Sequence, residues 1–234
     1  MPECFIETPH HTLATYTATP EGRGPWPGVI IIHDVAGMSA DLRRHTDWFA
    51  ASGYLAVAPD LYSWGGKIRC LLAVFRDLAA RRGAAFDDID ALRSWLQRRA
   101  DCTGKIGIMG FCMGGAFALY AASGHDFSVS AVNYGAIPKD VDAIVAGACP
   151  IIGSFGAKDR TLRGAAARLE QALTRRGIDH DVKEYSAAGH SFFNKHDAVV
   201  FDMIGPLIGA FYHEPTEADA RQRILNFFAR HLIT

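Results

Sequence analysis

Cys112 stands in the run Gly110-Phe111-Cys112-Met113-Gly114-Gly115, directly after the apolar stretch Lys105 to Met109. A thiol with glycines two residues to either side, between a strand and a helix, has the pattern of a nucleophile elbow with cysteine in the place of serine. The chain must reverse so tightly there that the nucleophile takes a strained backbone. A Cβ at either flanking glycine then collides with the neighbouring chain. The turn lifts the thiol clear of the sheet, toward the N-terminus of the next helix. Free N–H groups and the dipole at that end favour a thiolate and a developing oxyanion. The chemistry this predicts is nucleophilic attack on an acyl carbon.

Such a thiol needs a base, and the base needs an acid to orient it. In this architecture they follow in the order nucleophile, acid, histidine. Asp159 closes Phe155-Gly156-Ala157-Lys158-Asp159, just past an apolar strand. His190 lies in Ala187-Ala188-Gly189-His190-Ser191-Phe192, just past another. Both fall where functional loops gather, at the carboxyl edge of a doubly wound sheet. His180 and Asp181 open a strand at the opposite edge and His196 lies well into the next segment, so all three are weaker candidates. The mechanism needs no cofactor. No CxxC or HExxH occurs, and no metal site is expected.

Positioning these groups requires alternating strands and helices. Gly28–Ile32, Tyr54–Ala58, Lys105–Met109, Val129–Asn133, Pro150–Phe155 and His180–Tyr185 read as strands. Helices are expected over Ala40–Ser52, after a cap at Asp87 or Asp88, and over Ala116–Ala122, Leu162–Arg176 and Ala218–Leu232. Glu3 to Thr17 reads as an antiparallel hairpin at one edge. The alternation predicts an α/β fold in one domain, residues 1–234, a mostly parallel doubly wound sheet with helices on both faces. Asn194 to Pro215, rich in Phe, Met, Ile and Leu, is a candidate lid within it, with Trp64 on the opposite rim.

Composition sets the remaining bounds. A net charge of −1 with no long run of one sign advertises no nucleic-acid or anionic-membrane surface. The most apolar late stretch is too short and too interrupted to span a bilayer. Five dispersed cysteines argue against a disulfide framework and fit a reducing cytoplasm, without a secretory signal at the N-terminus.

These pieces together resemble the dienelactone hydrolase family of α/β-hydrolases over essentially the whole chain. They are Pro27-Gly28-Val29-Ile30-Ile31-Ile32-His33-Asp34, Ala58-Pro59-Asp60-Leu61-Tyr62, the Cys112 elbow, Gly156-Ala157-Lys158-Asp159 and Gly189-His190-Ser191-Phe192. The resemblance implies an α/β-hydrolase fold of about eight strands and a Cys112-His190-Asp159 triad. It also implies an oxyanion hole from the N–H groups of Val35 and Met113, and opening of a lactone such as carboxymethylenebutenolide. Where the family places a glutamate that partners the resting thiol, this chain carries Asp34. Of the two family arginines that clamp the substrate carboxylate, one falls at Asn194, which has no charge. The other falls near Lys67 or Arg69. Tyr134 is a further candidate beside the oxyanion.

The reading is a hydrolase of a small ester or lactone, monomeric or a small homo-oligomer. The alternatives are a broad carboxylesterase or thioesterase on the same scaffold, and a non-catalytic ligand-binding relative. Activity is expected to fall as His190 protonates below its ordinary value of about 6.5.

Overall fold

The computed structural model describes residues 3–195 and 211–233. Eight strands form one sheet: β1 (Glu3–Glu7), β2 (Thr12–Ala18), β3 (Trp26–Ile32), β4 (Leu55–Pro59), β5 (Cys102–Phe111), β6 (Val129–Asn133), β7 (Ile151–Gly156) and β8 (His180–Tyr185). Their spatial order is β1-β2-β4-β3-β5-β6-β7-β8. β1 pairs antiparallel with β2, and β2 with β4; every later pair is parallel. This is the α/β-hydrolase arrangement, and the edge hairpin lies where the sequence placed it.

Seven helices are described: α1 (Ala40–Ala51), α2 (Lys67–Ala80), α3 (Ala84–Gln97), α4 (Met113–Ala121), α5 (Val141–Ile144), α6 (Ala165–Arg176) and α7 (Glu214–Leu232). The central strands are mostly apolar because both faces are covered. Ile30, Ile32, Val57 and Ile108 pack beneath α2 to α6, together with Phe86, Phe117 and Leu169. Val29, Ile31, Met109 and Phe111 face the other way, onto Leu42 and Phe49 of α1 and Ile224, Phe227 and Phe228 of α7. Both families of contact come from one period-2 alternation.

Three sequence expectations need correction. α3 begins at Ala84, so Asp87 and Asp88 lie inside it and do not cap it. Its N-terminus is capped from outside, by the Asp77 carboxylate of α2 accepting from the Ala85 N–H at 3.1 Å. α4 begins at Met113, directly after Cys112, and not at Ala116. α2 was not foreseen: its inner face is Cys70, Val74 and Asp77, while Ile68, Leu72 and Phe75 point outward, which blurs the single stripe that marks a surface helix. Of the candidate lid, residues 196–210 lie outside the described part, as does His196.

Phe228 is fully buried and packs on Phe49 at 5.5 Å between ring centroids. Phe228→Ala should lower stability by about 3–5 kcal/mol, read as a lower urea midpoint with an unchanged m-value.

Candidate active site

β5 delivers Cys112 with φ 53° and ψ −113°, a positive φ outside the ordinary range of a side-chain-bearing residue. What holds it there is backbone contact. A Cβ on Gly110 would enter the Gly114 carbonyl group and approach Gly115 N to 2.7 Å. One on Gly114 would run into the carbonyls of Ile32 and His33, the latter at 2.6 Å. The two glycines thus let the elbow nest against the end of β3, as the sequence required. The Cys112 N–H is fastened to the Asn133 carbonyl of β6 at 3.0 Å.

The acid and the histidine arrive on adjacent loops. A Cβ on Gly156 would lie 2.6 Å from the Ala188 carbonyl, so the end of β7 can touch the loop after β8 only as glycine. Lys158 N–H to Ala188 O, at 2.9 Å, laces the two loops together. The result is a His190 Nδ1 to Asp159 Oδ2 contact of 2.6 Å. The other Asp159 oxygen accepts from the N–H and hydroxyl of Thr161, at 2.8 and 2.7 Å. Thr161 was missed in the sequence, although a Thr two residues after an Asp is a familiar local partner. The Asp159 side chain is fully sealed, whereas 14% of His190 is exposed, so the acid is shielded and the base reachable.

Burial favours the neutral form of both groups, and in both the hydrogen bonds outweigh it. For Asp159, burial raises the pKa, but bonds from His190 and Thr161 hold the carboxyl below the usual range. For His190, burial lowers it, but the bond to Asp159, the bond to Cys112 and the charges of both push it up to about 10. This corrects the expectation of a base titrating near 6.5: the pair keeps its proton on the imidazole through neutral pH. The added stability is full below about 6.5 and is lost as pH rises through about 10.

The strip before the elbow is ordered by a residue the sequence had not singled out. His33 is buried and donates from Nδ1 to the Asp34 carbonyl at 2.6 Å, while its Nε2 accepts from the Leu61 N–H at 3.1 Å. Both nitrogens are used by a neutral ring, and burial lowers its pKa. The cap of α1 is Ser39, and His33 Nδ1 meets the backbone carbonyl of Asp34. Asp34 Oδ1 accepts from the Ala36 N–H at 2.8 Å, closing the turn that carries Val35. Among the described residues, no backbone carbonyl accepts from the N–H of Val35 or Met113.

The substrate-side candidates divide. Tyr134 and Asn194 are buried and bonded to each other, hydroxyl to amide oxygen, and the Asn194 amide donates to Asp41 at 2.7 Å. Lys67 and Arg69 stand exposed on the first turn of α2, with Arg69 over Trp64 at 5.7 Å. Trp64 stacks on His11 of the β1–β2 turn at 5.0 Å. Tyr62, also missed, sets its ring edge on His33 at 4.7 Å, and its hydroxyl lies 3.8 Å from Met113 Sδ. Among the described residues no three His, Cys, Asp or Glu side chains converge on a metal position. No described helix is long and apolar enough to cross a membrane.

The profile of the Dienelactone hydrolase family matches residues 13–232. The chain belongs to that family. A "Putative carboxymethylenebutenolidase" of Yersinia pestis is 27% identical, with 98% of this chain and 88% of that protein aligned. One from Saccharolobus solfataricus is 24% identical, with 97% and 98% aligned. The crystal structure of a "Putative Dienelactone Hydrolase" from Klebsiella pneumoniae subsp. pneumoniae is 26% identical, superposes with a TM-score of 0.78 and covers 97% of each chain.

Because Cys112 is among the groups that raise the His190 pKa, Cys112→Ala should move the imidazole titration downward from about 10. Two-dimensional NMR of the ring protons across pH 5–11 reads this. An unmoved titration would show that the thiol and the imidazole do not interact.

Proposed function

We propose that this family member hydrolyses a neutral ester or lactone through an acyl-enzyme on Cys112, with His190 and Asp159 as its proton-handling partners. The observation that carries the reading is the His190 imidazole bound to the Asp159 carboxylate at 2.6 Å, with Cys112 on its positive-φ elbow near enough to raise the pKa of that ring. In this reading the thiol gives its proton to the imidazole before or during attack.

The thiolate attacks the carbonyl carbon, forming the C–S bond while the C=O electron pair moves to oxygen. The Val35 and Met113 N–H groups receive that oxyanion. Collapse breaks the C–O bond, and the imidazolium passes its proton to the departing alkoxide. The ring has then lost both its proton and the neighbouring anion that favoured protonation. It is neutral when deacylation needs a general base, and takes a proton from water as the water adds to the thioester. Breaking the C–S bond restores the thiolate and the imidazolium. Asp159 holds Nδ1–H throughout, which keeps Nε2 directed at the chemistry.

Substrate charge follows from Asn194. At the position of a family arginine it brings no cation, and its amide is engaged by Asp41. An uncharged acyl group therefore suits the site better than a dienelactone carboxylate. Purified protein should turn over p-nitrophenyl acetate or a neutral lactone in preference to cis-dienelactone; the opposite preference would defeat the assignment of substrate charge. Cys112→Ala should cost at least about 10³-fold in kcat/KM, and Asp159→Asn about 10²–10⁴-fold. Hydrolysis unchanged in Cys112→Ala would remove the mechanism. With its proton on His190, the wild type should hold its activity through pH 6–8 and lose it as pH approaches about 10.

A further inference from the structure

A connected chain of buried polar side chains outside the proposed trio lies behind the His190 ring. Tyr134, at the end of β6, turns its ring edge to His190 with 5.2 Å between centroids. Its hydroxyl donates to the Asn194 amide oxygen. Asn194 Nδ2 donates to Asp41 Oδ2 on α1 at 2.7 Å. Asp41 Oδ1 takes Arg44 Nη2 at 2.7 Å, and Arg44 Nη1 reaches Glu217 of α7 at 2.8 Å. Asn194 also belongs to the histidine's own turn, since its N–H donates to the Ser191 carbonyl at 3.0 Å, and Ser191 has φ 60°.

We propose that Asn194 is a positioning residue: it pins the His190 turn to α1 and keys Tyr134 edge-on against the imidazole. The inference rests on His190 and Cys112 being the reacting pair. A carboxamide suits the place because it accepts from a phenol and donates to a carboxylate at once. An aspartate there would face Asp41 with like charge, and an apolar residue would leave the buried Tyr134 hydroxyl without this acceptor. Asp159 holds the imidazole at Nδ1 and sets its tautomer. The Tyr134 ring packed against it adds a second restraint, on the tilt of the ring, so that Nε2 stays directed toward Cys112. Misplacement of a reacting group by even an ångström is costly in rate.

The test compares Asn194→Ala with Tyr134→Phe, which keeps the ring and loses the anchoring hydroxyl, using p-nitrophenyl acetate and rates per burst-titrated active site. Each should lose about 10-fold in kcat, with KM within about twofold, because the effect is on alignment and not on binding. The double variant should be no slower than the slower single, since both break one chain of contacts. Iodoacetamide alkylation of Cys112 at pH 7 should slow in both, and this arm needs no substrate, so it stands even if ester hydrolysis is not the reaction. The proposal is overturned if kcat per site and alkylation stay within twofold of wild type while only the melting temperature drops, as for a merely structural contact. Multiplicative losses in the double variant would overturn it equally.

Discussion

At Gly110 and Gly114 two chain segments pass closer than any Cβ permits, and Cys112 between them has φ 53°. That backbone contact sets the direction of the thiol and fixes where α4 begins. The first turn of α4 therefore follows the thiol directly, and the Met113 N–H is among the N-terminal groups that have no acceptor within the helix. Everything else in the site is arranged around this point. β6 fastens the Cys112 amide, β7 and β8 bring up the acid and the histidine, and the end of β3 faces the elbow from the far side. An alanine at either glycine would have to move a strand.

Electrostatics supplies the second layer. Burial alone would make Asp159 a neutral acid and His190 a neutral base, and an unpartnered pair of that kind would hold no proton on the ring at neutral pH. The short contact between them, Thr161 on the far carboxylate oxygen and the sulfur on the near side reverse both tendencies. Asp41 behaves in the same way. Burial pushes its pKa up, but His45, Arg44 and Asn194 together hold it well below the ordinary carboxylate range. Two ionised carboxylates thus lie under the histidine loop, each fully partnered, which is the condition on which buried charge is tolerated.

How much of this could be read in the sequence follows from which signals are local. The parallel strands were legible because runs such as Val29–Ile32 are apolar on both faces, and the three candidate side chains stood out because each follows such a run within a few residues. Elements with divided patterns were not. α2 presents apolar groups both inward and outward, and the start of α3 depends on Asp77, which lies beyond the helix it caps. Asn194 was legible as a departure from the family but not as a bridge, because its partner Asp41 lies 153 residues away. His33 could be noticed beside Asp34, yet its role needs the Leu61 amide, brought near only by the pairing of β3 with β4.

His33 has a consequence of another kind. A neutral ring that donates at one nitrogen and accepts at the other is a rivet with a fixed polarity, and the two strips it joins lead to Val35 on one side and to Tyr62 and Trp64 on the other. Protonation would set Nε2–H against the Leu61 N–H, donor against donor. Acid strong enough to charge this buried ring would therefore part the Val35 strip from the Tyr62 and Trp64 strip. A single imidazole thus ties the relative placement of those two walls to its own neutrality.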